Sequence, residues 1–473
     1  MIRPKISVII VNFNGKELLA SCLTSIFQSS YPKNKLEIIV VDNASTDDSV
    51  AFLKNNFPQI KLIESQENLG FTGGNNLGYE QSTGDFICLL NSDLKINKNF
   101  FANLLSAFKK PEVGLAAPKI YFDLPFIKIK IKSDVIGKND LDNSTNFSPL
   151  GVLMEDVIAS NKSLNDKFWY LDGFYPKQFS QINSFWTKGQ TELLLPFSGP
   201  KKEEFIFTFH GYPTPSKKEN RVQIFLGTRL LKELVLRHDE VKQVKLEIGQ
   251  KTAQKYFQYL IQNAGNVVLR DGHGKDRGSI IKNHPSGWRE EFYDFDHEYY
   301  QKPQSLLAIC GAACLIRRKV IEKIGFFDGH YFMYYEDLDF SLRAWKMGFD
   351  ITYVPTAIAF HKHKASTSKL DSSFFLNMIE RNHLAFVLTH FPVSIFLREY
   401  LAFSLRLAIT LMKSFAFRFR DNMERTRIWN QKAKGRREAF NFINQNFFRI
   451  YRNKLFWQQR NRRQFKELSK YLY

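Results

Sequence analysis

Carboxylates that follow apolar runs are the first candidates for chemistry in this chain. The run Cys88-Leu89-Leu90 ends in Asn91-Ser92-Asp93. An acid closing a buried strand is suited to hold a divalent cation on a diphosphate and so neutralise the charge on a departing phosphate. At ~4 Å and an effective dielectric near 20, one such charge pair is worth about 4 kcal/mol before desolvation. The competing role for Asp93 is to cap the helix that begins near Lys98. A denser group, Glu336, Asp337 and Asp339, sits in Tyr334–Arg343. Mutual repulsion there raises at least one pKa above the ~3.9 of a free Asp, towards a usable general base. The alternative is a solvated helix start whose acids favour the helix dipole. Phe326, Phe327, Phe332 and Met333 lead into the cluster and argue against full solvation. His361 and His363 follow the strand-like Ile351–Phe360, where a His can complete a metal site that Asp93 alone cannot. The Gly- and Asn-rich turn Asn68–Gly78 permits close backbone approach to a ligand, but lacks the spacing and the Lys of a Walker phosphate loop.

The elements that must position these residues alternate in type. Ile6–Val11 is a continuous apolar run, and Leu36–Val41 and Asp85–Leu90 read as two further buried strands. Leu18, Leu19, Cys22, Leu23, Ile26 and Phe27 recur at helical spacing between the first two. Buried strands separated by helices imply a parallel sheet with right-handed crossovers, and ligands collect at the carboxyl ends of such strands. Asn12, Asp42 and Asp93 all fall just past strand ends and are expected in one crevice. Short strands with turn-rich connections (Glu192–Phe197, Phe205–His210, Val222–Leu226 and Val241–Ile248) predict an inserted all-β sandwich-like domain. Trp169, Tyr170, Phe174, Tyr175 and Trp186 cluster in or before it, either as core or as stacking platforms for sugar rings. The expected organisation is 1–123, an inserted domain at 124–255, a return to the first architecture at 256–370, and a helical basic region at 371–473.

Of 473 residues, 44% are apolar and 24% charged, which excludes disordered, collagenous and coiled-coil classes. Four cysteines (Cys22, Cys88, Cys310 and Cys314) make neither a disulfide scaffold nor a zinc pattern, so all four are expected as reduced thiols. The amino-terminal residues lack a signal peptide's apolar stretch, and no segment reaches the ~20 apolar residues of a membrane span, so the chain is expected in the cytoplasm. Net charge is +20, and 398–473 holds 19 Lys+Arg against 5 Asp+Glu, or +14. That excess asks for an anionic partner. With no nucleic-acid-binding module in view, the partner expected is the anionic inner face of the plasma membrane, bound peripherally.

Seven segments in order resemble glycosyltransferase family 2: VIIVNFNG (Val8–Gly15), IVVDNASTD (Ile39–Asp47), NLGFTGGNNLG (Asn68–Gly78), LNSD (Leu90–Asp93), GAACLIRR (Gly311–Arg318), IGFFDGHYFMYYEDLDFSLR (Ile324–Arg343) and HKHKAS (His361–Ser366). Their order and spacing look most like the rhamnosyl- and galactofuranosyltransferase branch. The resemblance implies a GT-A fold, an α/β architecture with a Rossmann-like, mostly parallel sheet. It implies that Asp42 contacts the nucleotide base and that Asn91-Ser92-Asp93 matches a metal-binding Asp-any-Asp triplet. It also implies that Asp337 deprotonates the acceptor hydroxyl and that His361 joins the metal, Mg²⁺ or Mn²⁺. Asn12, Asn43, Gly70, Asn76, Asn91, Gly311 and Glu336 fall in the same motifs and are expected to line the substrate cleft. The implied reaction is one inverting displacement from a dTDP- or UDP-sugar, rhamnose or a relative, onto a cell-surface glycan or lipid-linked acceptor, as in polysaccharide and cell-wall biosynthesis. One departure is that Asn91 stands where the triplet has its first acid. A catalytically inactive glycan-binding protein is the alternative that this departure leaves open.

Overall fold

A computed structural model describes residues 3–135, 150–155, 157–159, 162–163, 170–174, 184–199, 201–211, 219–283, 289–362, 372–417, 423–463 and 465–472. His363 and most of its motif lie outside these residues, as do Trp169 and Tyr175. The chain divides into two compact units: 1–121, 262–278 and 297–473 form the first, and 122–261 with 279–296 the second.

In the first unit, β1 (Ile6–Asn12), β2 (Leu36–Asp42), β3 (Lys61–Glu64) and β4 (Phe86–Leu90) are joined through α1 (Lys16–Phe27), α2 (Ser49–Asn56) and α3 (Gly70–Glu80). β1 pairs in parallel with both β2 and β4, and its five residues Ile6–Ile10 are buried, as befits a strand covered on both faces. The sheet order runs β3, β2, β1, β4 and then Ala313–Arg317, β6 (Val113–Phe122), Asp350–His361 and Gln304–Leu306, with the short β5 (Leu94–Ile96) beside Asp350–His361. Ala313–Arg317 runs antiparallel to β4, so the sheet is mixed. The chain leaves β1 in one direction through β2 and β3 and returns to β1's other side as β4. Their carboxyl ends therefore frame a topological switch point. One core cluster joins β1 (Ile6, Val8, Ile10) to Leu19, Cys22, Leu23 and Ile26 of α1, the spacing that made that helix legible.

Three long helices, Ser372–His390, Val393–Phe417 and Met423–Arg460, complete the unit. Among the described residues no helix is long and apolar enough to cross a membrane. All four cysteines carry free thiols, and burial pushes each pKa up.

The second unit is antiparallel β. Ser184–Pro196 belongs to two layers: Gln190–Pro196 pairs with Phe126–Lys132, and the start of the strand pairs with Leu153–Glu155. Gly189, at φ +85°, makes the changeover, a left-handed corner that a side chain disfavours. Ile127, Ile129 and Ile131 from one layer and Phe205, Phe207 and Phe209 from the other share one core, which makes the unit sandwich-like. Arg229–Arg237 is a strand the sequence pattern hid, because RLLKELVLR reads as charged rather than alternating; it pairs with Glu219–Leu226 at the end of the strand order, where charge blunts an exposed edge.

Candidate functional site

The carboxyl ends of β1 and β4 bring the first candidates together. Asn12 closes β1, and its amide nitrogen donates to Asp42 Oδ2 (3.0 Å) at the end of β2. Asp42 Oδ1 accepts from Ser45 N (2.9 Å), so both oxygens of this buried acid are held within the fold, where they brace the loop after β2. Asn12 Oδ1 is buried without a hydrogen-bond partner, beside Gly15. A Cβ on Gly15 would lie 2.5 Å from that oxygen and 3.6 Å from Ser92 Oγ, so the Asn12 side chain and the Asn91-Ser92-Asp93 turn face the same small space.

Asp93 and His361 meet directly. β5 pairs with the end of Asp350–His361, placing His361 opposite Leu94, and Lys362 N donates to Asp93 O (3.1 Å). His361 Nε2 then lies 3.0 Å from Asp93 Oδ1, and Nδ1 lies 3.1 Å from Gln262 Oε1, with both His361 and Asp93 buried. Both ring nitrogens thus face acceptor oxygens, and a neutral imidazole has one N–H to give. With the Nδ1 proton on Gln262, the Nε2 lone pair points at a carboxylate, an arrangement that a cation between them resolves. A carboxylate and an imidazole oriented by its second nitrogen fit a divalent metal. Among the described residues no group of three or more His, Cys, Asp or Glu forms. Asn91 contributes main chain at this point, its N–H donating to Ala312 O (2.8 Å).

Asp337 approaches from the first turn of a helix and is held at the start of the neighbouring strand. Two consecutive residues, Tyr334 (φ +70°) and Tyr335 (φ +74°), take left-handed backbone before the helix Glu336–Lys346. Such strain persists only where surroundings enforce it. Asn382 Nδ2 supplies that enforcement by donating to Met333 O (2.8 Å) and Tyr334 O (2.9 Å). The turn delivers Asp337 Oδ2 to Gly311 N (2.9 Å) and Asn266 Nδ2 (3.2 Å), while Oδ1 accepts from Leu338 N (2.8 Å). Gly311 immediately precedes Ala312, which is bonded to Asn91. Asp337 and the Asp93 turn are therefore anchored to facing ends of two adjacent antiparallel strands. Burial pushes the Asp337 pKa above its ordinary value, and the donors from Gly311, Leu338 and Asn266 oppose that rise.

The acidic cluster is not one group. Glu336 is buried with Oε2 unpartnered, and burial, then Asp337, drive its carboxyl well above the usual range. Asp339 is an ion-pair residue. It lies 2.7 Å from Arg343 Nε and 2.7 Å from His390 Nε2, and although burial opposes ionisation, these partners hold its pKa well below an ordinary carboxylate.

Asn43, Gly70 and Asn76 form scaffold beside the cleft. Asn43 donates to Gly70 O (3.0 Å) and Asn68 Oδ1 (2.9 Å) and accepts from Leu69 N (2.9 Å); Asn76 brackets Phe327 by donating to its O (2.9 Å) and accepting from its N (3.2 Å). Gly70, at φ +69°, abuts Phe332. Gly74 and Gly78 face the sheet: added Cβ atoms would lie 2.7 Å from Val11 and 2.5 Å from Ile9. These two glycines of the turn thus serve close helix–strand packing, not the ligand approach expected for the segment.

The sequence reading missed Gln262, Asn263 and Asn266. Asn263 Nδ2 donates to Asn266 Oδ1 (2.8 Å) and Asp276 Oδ1 (2.7 Å), which fixes the Asn266 amide with its nitrogen towards Asp337. The Asn-Ala-Gly-Asn turn at 263–266 was the available signal.

Residues 7–165 match the model for glycosyl transferase family 2, and residues 275–419 match that for glycosyl transferase family group 2. A family 2 glycosyl transferase domain is thus present in the chain. Glycosyltransferase AglE of Haloferax volcanii is 26% identical over 168 residues, 33% of this chain and 55% of that protein. A poly(ribitol-phosphate) beta-glucosyltransferase of Bacillus spizizenii is 34% identical over 93 residues, 19% of this chain and 15% of that one. The chain spans about half the length of AglE and less of the second relative, and neither name is that of a rhamnosyl- or galactofuranosyltransferase. Among solved structures, the mannosyltransferase PcManGT of Pyrobaculum calidifontis with GDP-Man and Mn²⁺ aligns with 93% of this chain and 86% of its own, at 11% identity and TM-score 0.38. GalNAc-T7 with UDP, GalNAc and Mn²⁺ aligns with 82% of this chain and 48% of its own, at 12% identity and TM-score 0.40.

Proposed function

We propose that this chain is an inverting glycosyltransferase that moves a sugar from a nucleoside diphosphate to an acceptor hydroxyl in one in-line displacement. The observation that carries the reading is the approach of Asp337, held by Gly311 N, to the strand end that bears the Asp93–His361 pair. Asp337 takes the acceptor proton as the acceptor oxygen bonds to the anomeric carbon, and the bond to the diphosphate breaks with its electron pair leaving on the phosphate. A divalent cation, Mg²⁺ or Mn²⁺, held by Asp93 and His361 would supply neutralising charge to that diphosphate. Asn12, with its unpartnered oxygen, and the main chain of Asn91 line the donor side. Burial, then the neighbouring Asp337, favours the protonated form of Glu336, which leaves Asp337 to act as the base of the pair.

The family match supports a nucleotide-sugar donor, and the motif order is the basis for choosing a dTDP- or UDP-sugar, rhamnose or a relative, and a cell-surface glycan or lipid-linked acceptor. The +14 charge of 398–473 suits a peripheral position at the anionic inner leaflet, where such acceptors are built. The purified protein, assayed against a panel of nucleotide sugars with and without Mg²⁺ or Mn²⁺, should consume one donor in a metal-dependent, chelator-sensitive way. Asp337→Asn should retain the fold and lose at least about 100-fold in transfer. Full turnover in that variant, or no donor consumed by the wild type, overturns the reading.

A further inference from the structure

The helix Val393–Phe417 carries large apolar side chains on both sides, with Glu399 also buried on the inner one. Its inner face carries Phe396, Phe403, Leu407, Thr410 and Ser414, all buried, with Phe396 against Phe447 (6.0 Å between ring centroids) and Ser414 Oγ donating to Asn430 Oδ1 (2.6 Å). The opposite face should be polar in a helix that simply packs on an enzyme. Instead Leu397, Leu401, Leu405, Ile409 and Met412 stand in solvent, with Leu401, Leu405 and Met412 at 67%, 62% and 71% exposure. At about 100° per residue these five fall within an arc of roughly 120° and run for roughly 22 Å along the axis. Arg398, Arg406 and Lys413 lie along one shoulder of the stripe.

We propose that this outward face is a lipid-docking surface, lying in the plane of an anionic leaflet with its leucines in the acyl boundary. The proposal deepens the membrane reading above, on which it rests, from net charge to a defined helix face. At 25 residues the helix is long but, with Arg398, Glu399, Arg406 and Lys413 along it, not apolar enough to cross a membrane, whereas an in-plane helix buries its apolar side only about 5–10 Å. Charge selects the occupant. A second copy of this chain would bring its own 19 Lys+Arg against 5 Asp+Glu towards the same excess, whereas an anionic bilayer offers opposite charge and hydrocarbon at once.

The test compares the 473-residue protein with Leu401→Glu/Leu405→Glu in flotation with mixed phosphatidylglycerol–phosphatidylcholine vesicles, with pure phosphatidylcholine as the neutral arm. Wild type should bind the anionic vesicles in a salt-weakened way. The double variant, altered only at exposed positions, should melt as wild type does and partition at least about tenfold less. If the double variant binds as well as wild type, charge alone drives attachment: this face is not the docking surface, and the broader membrane reading stands. If wild type does not bind, both fall. If wild type sediments as a dimer that the variant dissociates, the face is a self-contact and the proposal is overturned. Transfer to a soluble acceptor, unchanged in the double variant, separates any of these results from a failure of the enzymatic reading.

Discussion

At the scale of single residues, three neighbouring acids have three different fates. Successive helix positions turn by about 100°, so Asp337 and Asp339 point to different sides of one helix although a single residue separates them. Asp337 faces Gly311 and Asn266, and Asp339 faces Arg343 and His390. The sequence shows the cluster and its aromatic approach, and composition alone cannot divide it. Nor can it reveal partners that act across the fold, such as Asn266, 71 residues from Asp337, or Gln262, 99 residues from His361. Asn266 also provides a direct test of the base. Its amide is one of the donors that favour the ionised carboxylate, so Asn266→Ala should raise the Asp337 pKa. A base works deprotonated, and activity is lost as pH falls through that pKa. The acid limb of kcat/KM against pH should therefore move upwards by about one pH unit in the variant. Superimposable profiles would show that Asn266 does not hold the base.

Elements were more legible than sites. The strand signals at Ile6–Val11 and Leu36–Val41 end within one residue of β1 and β2, because strands covered on both faces leave a mainly apolar signature, broken here only by Ser7 and Glu37. The Gly-rich segment shows the limit of such reading, since glycine signals close approach without saying to what. Here the approach is α3 on β1. Gly78→Ala should gain up to about 1 kcal/mol in helix propensity but lose about 1–3 kcal/mol to overpacking against Ile9. A lower urea midpoint with an unchanged slope is the expected result. An unaltered midpoint would mean that the interface relaxes at no cost.

Across the whole molecule, sequence order hides what contact reveals. Residues 279–296 join the second unit although the chain has already returned to the first at 262–278, an excursion without a compositional mark. Equally hidden is a buried polar chain that ties three helices together. Lys346 Nζ approaches His390 Nδ1 (3.0 Å), His390 Nε2 meets Asp339 (2.7 Å), and Lys454 Nζ donates to Leu388 O (3.1 Å). Burial, with Lys346 next in effect, depresses the His390 pKa to about 4 from 6.5. Between those values the unfolded chain binds the extra proton, so stability rises with pH across that window and is lost on acidification. Asp339, held far below its ordinary value, adds a further loss as pH falls below about 4. Burial, then Lys454, lowers Lys346 to about 7, so its contribution grows above neutrality. Denaturation at stepped pH should show a slope of up to about 1.4 kcal/mol per unit from the His390 proton, and His390→Gln should flatten it. An equal slope in that variant would assign the proton elsewhere.

Asn382 gives the last hundred residues a part in chemistry they never touch. Its amide grips the carbonyls of Met333 and Tyr334, and Arg381 reaches His330 O (3.3 Å). An Asn382→Ala variant would keep every catalytic group named above and still release the two tyrosines from that grip, swinging Asp337 off its amide. Such a protein should grip donor and stay idle, a tool disarmed at its hinge and not at its blade.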